Sequence, residues 1–131
     1  MAGTVVASTI NNDTGLFATN NAYLGICKAW CNFDGTSGSI RSSFNISSLT
    51  RVATGQYTAV FTTAMTSANY AVVFGISGQN SGSGNGRVIM NLNSGDNGGT
   101  PTTTTFYIQT TNSADSAKQD QSYTMFSVLN A

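Results

Sequence analysis

GQYTAVFTTAMTSANYAVVFGI, residues 55–76, decides the fold class. Tyr57, Ala59 and Phe61 occupy alternate positions, and so do Tyr70, Val72, Phe74 and Ile76. A period of two places each set on one face of an extended strand, whereas a helix would return its apolar residues every three or four positions. The turn Ala53-Thr54-Gly55-Gln56 leads into the first of these strands. The same alternation extends in both directions. Ile40, Ser42, Phe44 and Ile46 read as one face of an earlier strand. Val88, Met90 and Leu92 follow the glycine-rich GQNSGSGNG at 78–86, and Phe106 and Ile108 oppose Tyr107 after NSGDNGGTP at 93–101. The last strand sets Tyr123, Met125 and Leu129 on one face and Phe126 and Val128 on the other. With residues 27–33 this makes about seven core strands, the number and spacing expected of an all-β, antiparallel β-sandwich.

Composition agrees. Nineteen Thr, sixteen Ser, fourteen Asn and fourteen Gly make up nearly half of the 131 residues, while Glu and His are absent and charged residues reach only 8%. Residues that build solvent-facing helices are scarce, and strand and turn formers remain. The length suits one domain, and 40% hydrophobic content is enough for one core. Residues 26–131 read as the sandwich. Residues 1–25 read as an N-terminal arm or hairpin that docks on a neighbour: Val5 to Ile10 has strand character, but the segment is too thin to hold a core of its own. Starting at Met1 without a basic or long apolar leader, the chain reads as complete and free of a signal peptide. Its most apolar run, 70–76, is too short for a membrane helix of roughly 20 residues, so membrane insertion is not expected.

Net charge is zero, and Lys28, Arg41, Arg51, Arg87 and Lys118 are scattered, which leaves no electrostatic footprint for nucleic acid. Several strands are apolar on both faces: Val60 opposes Tyr57 and Phe61, and Ile89 opposes Val88 and Met90. A sandwich wets one face of each sheet, so this pattern implies that part of the outer surface is covered by another copy of the chain.

Candidate chemistry is thin. Cys27 and Cys31 are four residues apart, about 13 Å along a strand. Disulfide-linked Cα atoms lie within about 7 Å, so free, buried thiols are expected. A zinc site would need two further ligands, and no His is present to supply them. The five carboxylates are Asp13, Asp34, Asp96, Asp115 and Asp120. They read mainly as turn formers, and nothing selects two of them as a glycosidase pair. Residues 93–99, with Asp96 and neighbouring carbonyls, resemble a calcium loop but lack the multiple carboxylates of a tight site. GSGNG at 82–86 lacks the Lys-Ser/Thr of a phosphate cradle and reads as a hairpin tip. The sequons Asn12-Asp13-Thr14 and Asn45-Ile46-Ser47 are expected by chance in such a composition. Trp30, the single tryptophan, reads as a core residue, with a sugar-stacking platform as the alternative. No catalytic, cofactor-binding or metal-binding residue is assigned, and an enzyme is not expected.

Three strings say more than composition. KAWCNFDGT at 28–36, IRSSFNISSLTR at 40–51 and GQYTAVFTTAMTSANYAVV at 55–73 resemble, in order, a module of bacteriophage tail fibres and related virion surface proteins of marine and cyanobacterial phages. The final SYTMFSVLN is similar more loosely, and 78–119 only weakly. The resemblance implies a jelly-roll or tail-fibre-knob-like sandwich in a non-enzymatic protein of the virion surface. Such a protein is synthesised in the bacterial cytoplasm, forms a homotrimer and contacts other capsid or tail subunits. It would serve as a knob or capsid-decorating protein, with host attachment as a further role. The alternative is a lectin-like module that binds host surface glycans through the variable loops.

Overall fold

A computed structural model describes residues 9–12, 15–18, 26–76, 88–92, 99–112 and 117–129. In it the alternation at Tyr57, Ala59 and Phe61 becomes β6 (Gln56–Phe61), with all three side chains buried and Thr58 and Val60 turned outward. The other elements are β1 (Thr9–Asn12), β2 (Gly15–Ala18), β3 (Cys27–Asp34), β4 (Ser39–Phe44), β5 (Ile46–Ala53), β7 (Ala71–Ile76), β8 (Val88–Leu92), β9 (Thr105–Asn112) and β10 (Thr124–Leu129). No helix occurs among the described residues.

Eight strands form two four-stranded antiparallel sheets, ordered β4-β3-β10-β7 and β5-β6-β9-β8. The first and last strands of the sandwich, β3 and β10, are therefore central neighbours. β1 and β2 pair with each other as a separate hairpin, with Ile10 opposite Phe17.

The two sheets meet through one aromatic chain. Phe33 on β3 packs edge-on against Tyr57 at 5.0 Å and against Phe126 of β10 at 6.4 Å. Phe126 in turn packs edge-on at 4.9 Å against Phe106 of β9, which stacks on Phe61 at 5.4 Å. Each ring, once buried, contributes about 1.5–3 kcal/mol from lost water contact alone, so this chain is the main adhesive between the layers. Tyr70 closes the cluster at one end, 5.6 Å from Phe61, and donates its hydroxyl to Thr102 O at 3.1 Å.

The expected strand running through Ile40 and Ile46 is instead two strands in different sheets. Asn45 between them adopts a left-handed φ of 56°, a conformation that Asn tolerates better than most side chains. Its amide nitrogen donates to Lys28 O at 3.0 Å and Thr63 O at 3.2 Å, and its Oδ1 accepts from Thr63 N–H at 2.7 Å. The corner thus ties β3 to the chain just beyond β6, one strand from each sheet. It also raises the expected seven core strands to eight. Within the expected arm, Ile10 belongs to β1 together with Asn11 and Asn12; Val5 and Val6 lie outside the described residues.

Candidate functional site

β3 alternates strictly: Ala29, Cys31 and Phe33 face inward, which sends Trp30 and Asn32 outward. Trp30 is therefore not the core residue expected from sequence; it is 37% exposed. Strand register extends it into a row across the whole sheet. Phe44 of β4 pairs with Trp30, Trp30 with Ser127 of β10, and Ser127 with Val73 of β7. One step along β10, Met125 pairs with Asn32 and Gly75, and its side chain lies over that glycine: a Cβ on Gly75 would meet Met125 Cγ at 2.8 Å. Phe44, Val73, Met125 and Tyr123 are all largely exposed. An apolar outer surface is thus present on β4-β3-β10-β7, a different sheet from the one holding Val60 and Ile89, on which the sequence reading of two-faced strands rested. Val60 is half-buried, and the side chains of Val88, Ile89 and Met90 lie outside the described residues.

Charge on this side of the molecule is neutralised locally. Asp34, in the β3–β4 turn, accepts from Thr36 N–H at 2.9 Å and pairs with Arg41 at 3.2 Å. The Thr36 hydrogen bonds, aided by Arg41, hold its carboxyl below the ordinary value. Arg41 in turn stacks over the Tyr123 ring at 4.3 Å. Beside Phe44 an open concavity of about 580 Å³ is lined by Ile26, Cys27, Lys28, Asn45, Thr62 and Thr63.

The other ionic cluster is built against the same β3–β4 turn, at Gly35, whose N–H donates to Gln121 O at 2.9 Å. Asp120 Oδ2 accepts from Arg51 Nη2 at 2.6 Å and Nε at 3.1 Å, while Oδ1 accepts from Gly55 N–H at 2.7 Å. The Tyr57 hydroxyl lies 2.8 Å from Oδ1 and 3.0 Å from Gly35 O, and its single proton goes to the charged acceptor. Burial opposes ionisation of Asp120, but the hydrogen bonds from Arg51, Gly55 and Tyr57 outweigh it and lower its pKa. The same surroundings, burial first and the carboxylate second, raise that of Tyr57. A nucleophile or general base needs a reachable, reactive oxygen. Here both carboxylate oxygens are spent on the protein's own donors, so the cluster is a clamp.

Asp120 is accordingly more than the turn former read from sequence. Asp34 does cap its turn, and Asp13, Asp96 and Asp115 lie outside the described residues, as do 93–98 and 82–86. Cys27 and Cys31 are both free, and burial pushes the Cys31 thiol up to about 11, so it is an inert core group. Among the described residues no three His, Cys, Asp or Glu side chains gather to hold a metal. The sequon residue Asn45 spends its amide on the corner between the sheets.

Sequence reasoning missed two groups that matter. The Arg51–Asp120 pair spans 69 positions, so nothing local signals it. Phe44 reads as sharing one strand face with Ile46, whereas it ends β4 and Ile46 opens β5; the Asn between them, inside an otherwise unbroken strand pattern, was the available signal for a corner.

Comparison of the chain with family models, with curated proteins and with solved structures gave no match.

Proposed function

We propose that this protein is a non-enzymatic structural component of a bacteriophage exterior, a tail-fibre-like knob or capsid-decorating protein that works as a homo-oligomer, most simply a trimer. Its sandwich is of the jelly-roll or tail-fibre-knob kind on this reading, and residues 1–25 act as an arm. The observation that carries the proposal is the outer face of β4-β3-β10-β7, where large apolar side chains cross a whole sheet of a chain with almost no charge. Such a face suits packing against protein. The resembling strings add support of a particular kind. Phe33, Gly35, Gly55, Tyr57, Phe61, Met65 and Tyr70, which fall in two of those strings, are all buried. The strings therefore fall on core positions of this sandwich, and the functional reading rests on the resemblance they carry. Labelling with antibody raised against the purified chain, viewed by electron microscopy on particles released from the producing bacterium, tests this. Label on the particle exterior is the expected result. A chain that accumulates in the cell and never appears on particles would overturn the proposal.

The concavity beside Phe44 favours a second reading, a host-glycan-binding module. An exposed aromatic ring flanked by Thr62 and Thr63 can stack on a sugar face while hydroxyls bond to its edge. Binding on a glycan array that is lost in Phe44→Ala would favour this use of the surface.

A further inference from the structure

We propose that the outer face of β4-β3-β10-β7 is where copies of this chain pack on one another, the Phe44–Trp30–Ser127–Val73 row of one copy meeting the same row of the next around a symmetry axis. This rests on the reading of the chain as an assembling protein and names the surface that does it.

Three observations select a second copy as the occupant. The first is size. Phe44 and Val73 are more than half exposed, Tyr123 is 52%, Met125 40% and Trp30 37% exposed. Together these five side chains offer on the order of 500 Å² of accessible surface. That lies near the top of the range of about 300–600 Å² for the largest apolar patch of an ordinary monomer. It also makes up most of the roughly 800 Å² that each partner contributes to a standard interface.

The second is charge. Of the ions near this face, Asp34 and Arg41 pair with each other and Lys28 lies at the edge beside Phe44, and the chain is neutral, so two identical faces meet with little repulsion. A nucleic acid or a charged partner would find no complementary field.

The third is the polar content of the row. Ser127 is its one polar member, and the Oδ1 of neighbouring Asn32 is already enclosed, without a donor. A sugar needs several converging donors and acceptors, and the row does not offer them. A self-packing surface needs continuous apolar area, and the four strands paired along this row supply it. The composition is that of an interface core: aromatic residues and Met at the centre, with Arg41 on Tyr123 at the rim.

Trp30 is the only tryptophan, which makes it an internal reporter. Full-length protein should sediment as an oligomer that dissociates on dilution, and the emission of Trp30 should shift to the red over the same concentration range as this face becomes wet. The double variant Phe44→Ser, Val73→Asp should be monomeric at concentrations at least tenfold higher than those that dissociate the parent, with its β-sheet circular dichroism retained. Thr50→Asp, an exposed change on the other sheet, should leave the mass unchanged. Ser127→Cys in a Cys27→Ser background should form an intermolecular disulfide on mild oxidation, a readout independent of the double variant. A monomeric parent, an oligomer whose Trp30 emission ignores dilution, or equal weakening by Thr50→Asp would each overturn the proposal. So would a double variant that keeps its mass but loses binding on a glycan array. Failure here with the chain still on particles leaves the virion reading standing. Self-association through this face in a chain never found on particles sinks that reading and supports this one.

Discussion

Asp120 joins four parts of the chain through two oxygens: Arg51 at the end of β5, the Gly55 turn, Tyr57 of β6 and, through that hydroxyl's position, Gly35. Asp120→Ala leaves the Gly55 N–H and the Tyr57 hydroxyl without their charged acceptor and should lower stability by about 2–3 kcal/mol in urea unfolding. The pH dependence has a definite sign. Folding lowers the Asp120 carboxyl below its ordinary value near 4, so the unfolded chain takes up the proton more readily. The stabilisation is complete above about pH 5 and drains away as pH falls through the folded value. Urea midpoints between about pH 5 and pH 2 should fall in the parent and fall less steeply in Asp120→Asn, the remainder coming from Asp34; equal slopes would refute the assignment. Asn45 is a second such point. Asn45→Ala loses three hydrogen bonds between the sheets and keeps a left-handed φ, so a loss of about 2–3 kcal/mol is expected. Asn45→Gly relieves the backbone only and should fall in between. Neither point was legible in sequence, since each depends on partners far along the chain.

Strands β6, β9 and β10 were legible because alternation and burial coincide: Tyr57, Ala59 and Phe61, then Phe106 and Ile108, then Phe126 and Val128 all face the core. The turn at Gly55 was legible as well, but its close approach to Thr110 and Gln119 was not. Gly55 sits at φ 63°, and a Cβ there would lie 2.5 Å from Thr110 O and 2.6 Å from Gln119 N. Gly55→Ala should therefore cost about 2–3 kcal/mol, measured as a drop in the urea midpoint, because the obstructing atoms are backbone and cannot swing aside. Along β3 the two thiols should behave differently. Cys27 is half-buried at the start of the strand, whereas Cys31 is 1% exposed with its pKa raised by burial. A thiol reagent at about pH 8 should modify Cys27 in the native protein and reach Cys31 only on unfolding; equal rates in the folded state would show that β3 is not the central strand it forms here.

Deleting residues 1–20 should leave a folded sandwich, since the hairpin of β1 and β2 is a sheet of its own among the described residues. If the arm docks on a neighbour, the truncated chain should keep its circular dichroism and lose oligomer mass. An unfolded truncation product would show that the arm completes the core instead. The amino-acid order by itself determined the fold class, most of the strands and which side chains share a face in β6, β9 and β10. Alternation is a local property, and a side chain's neighbours along a strand declare which face it shares. It also determined that neither His nor Glu is present. The tertiary structure alone decided which sheet each strand joins, that Asn45 breaks one apparent strand in two, and that Trp30 faces outward. It also brought Arg51 and Asp120 together. These depend on which distant segments become neighbours, and that is set by the packing of the whole core and not by any stretch short enough to carry a pattern.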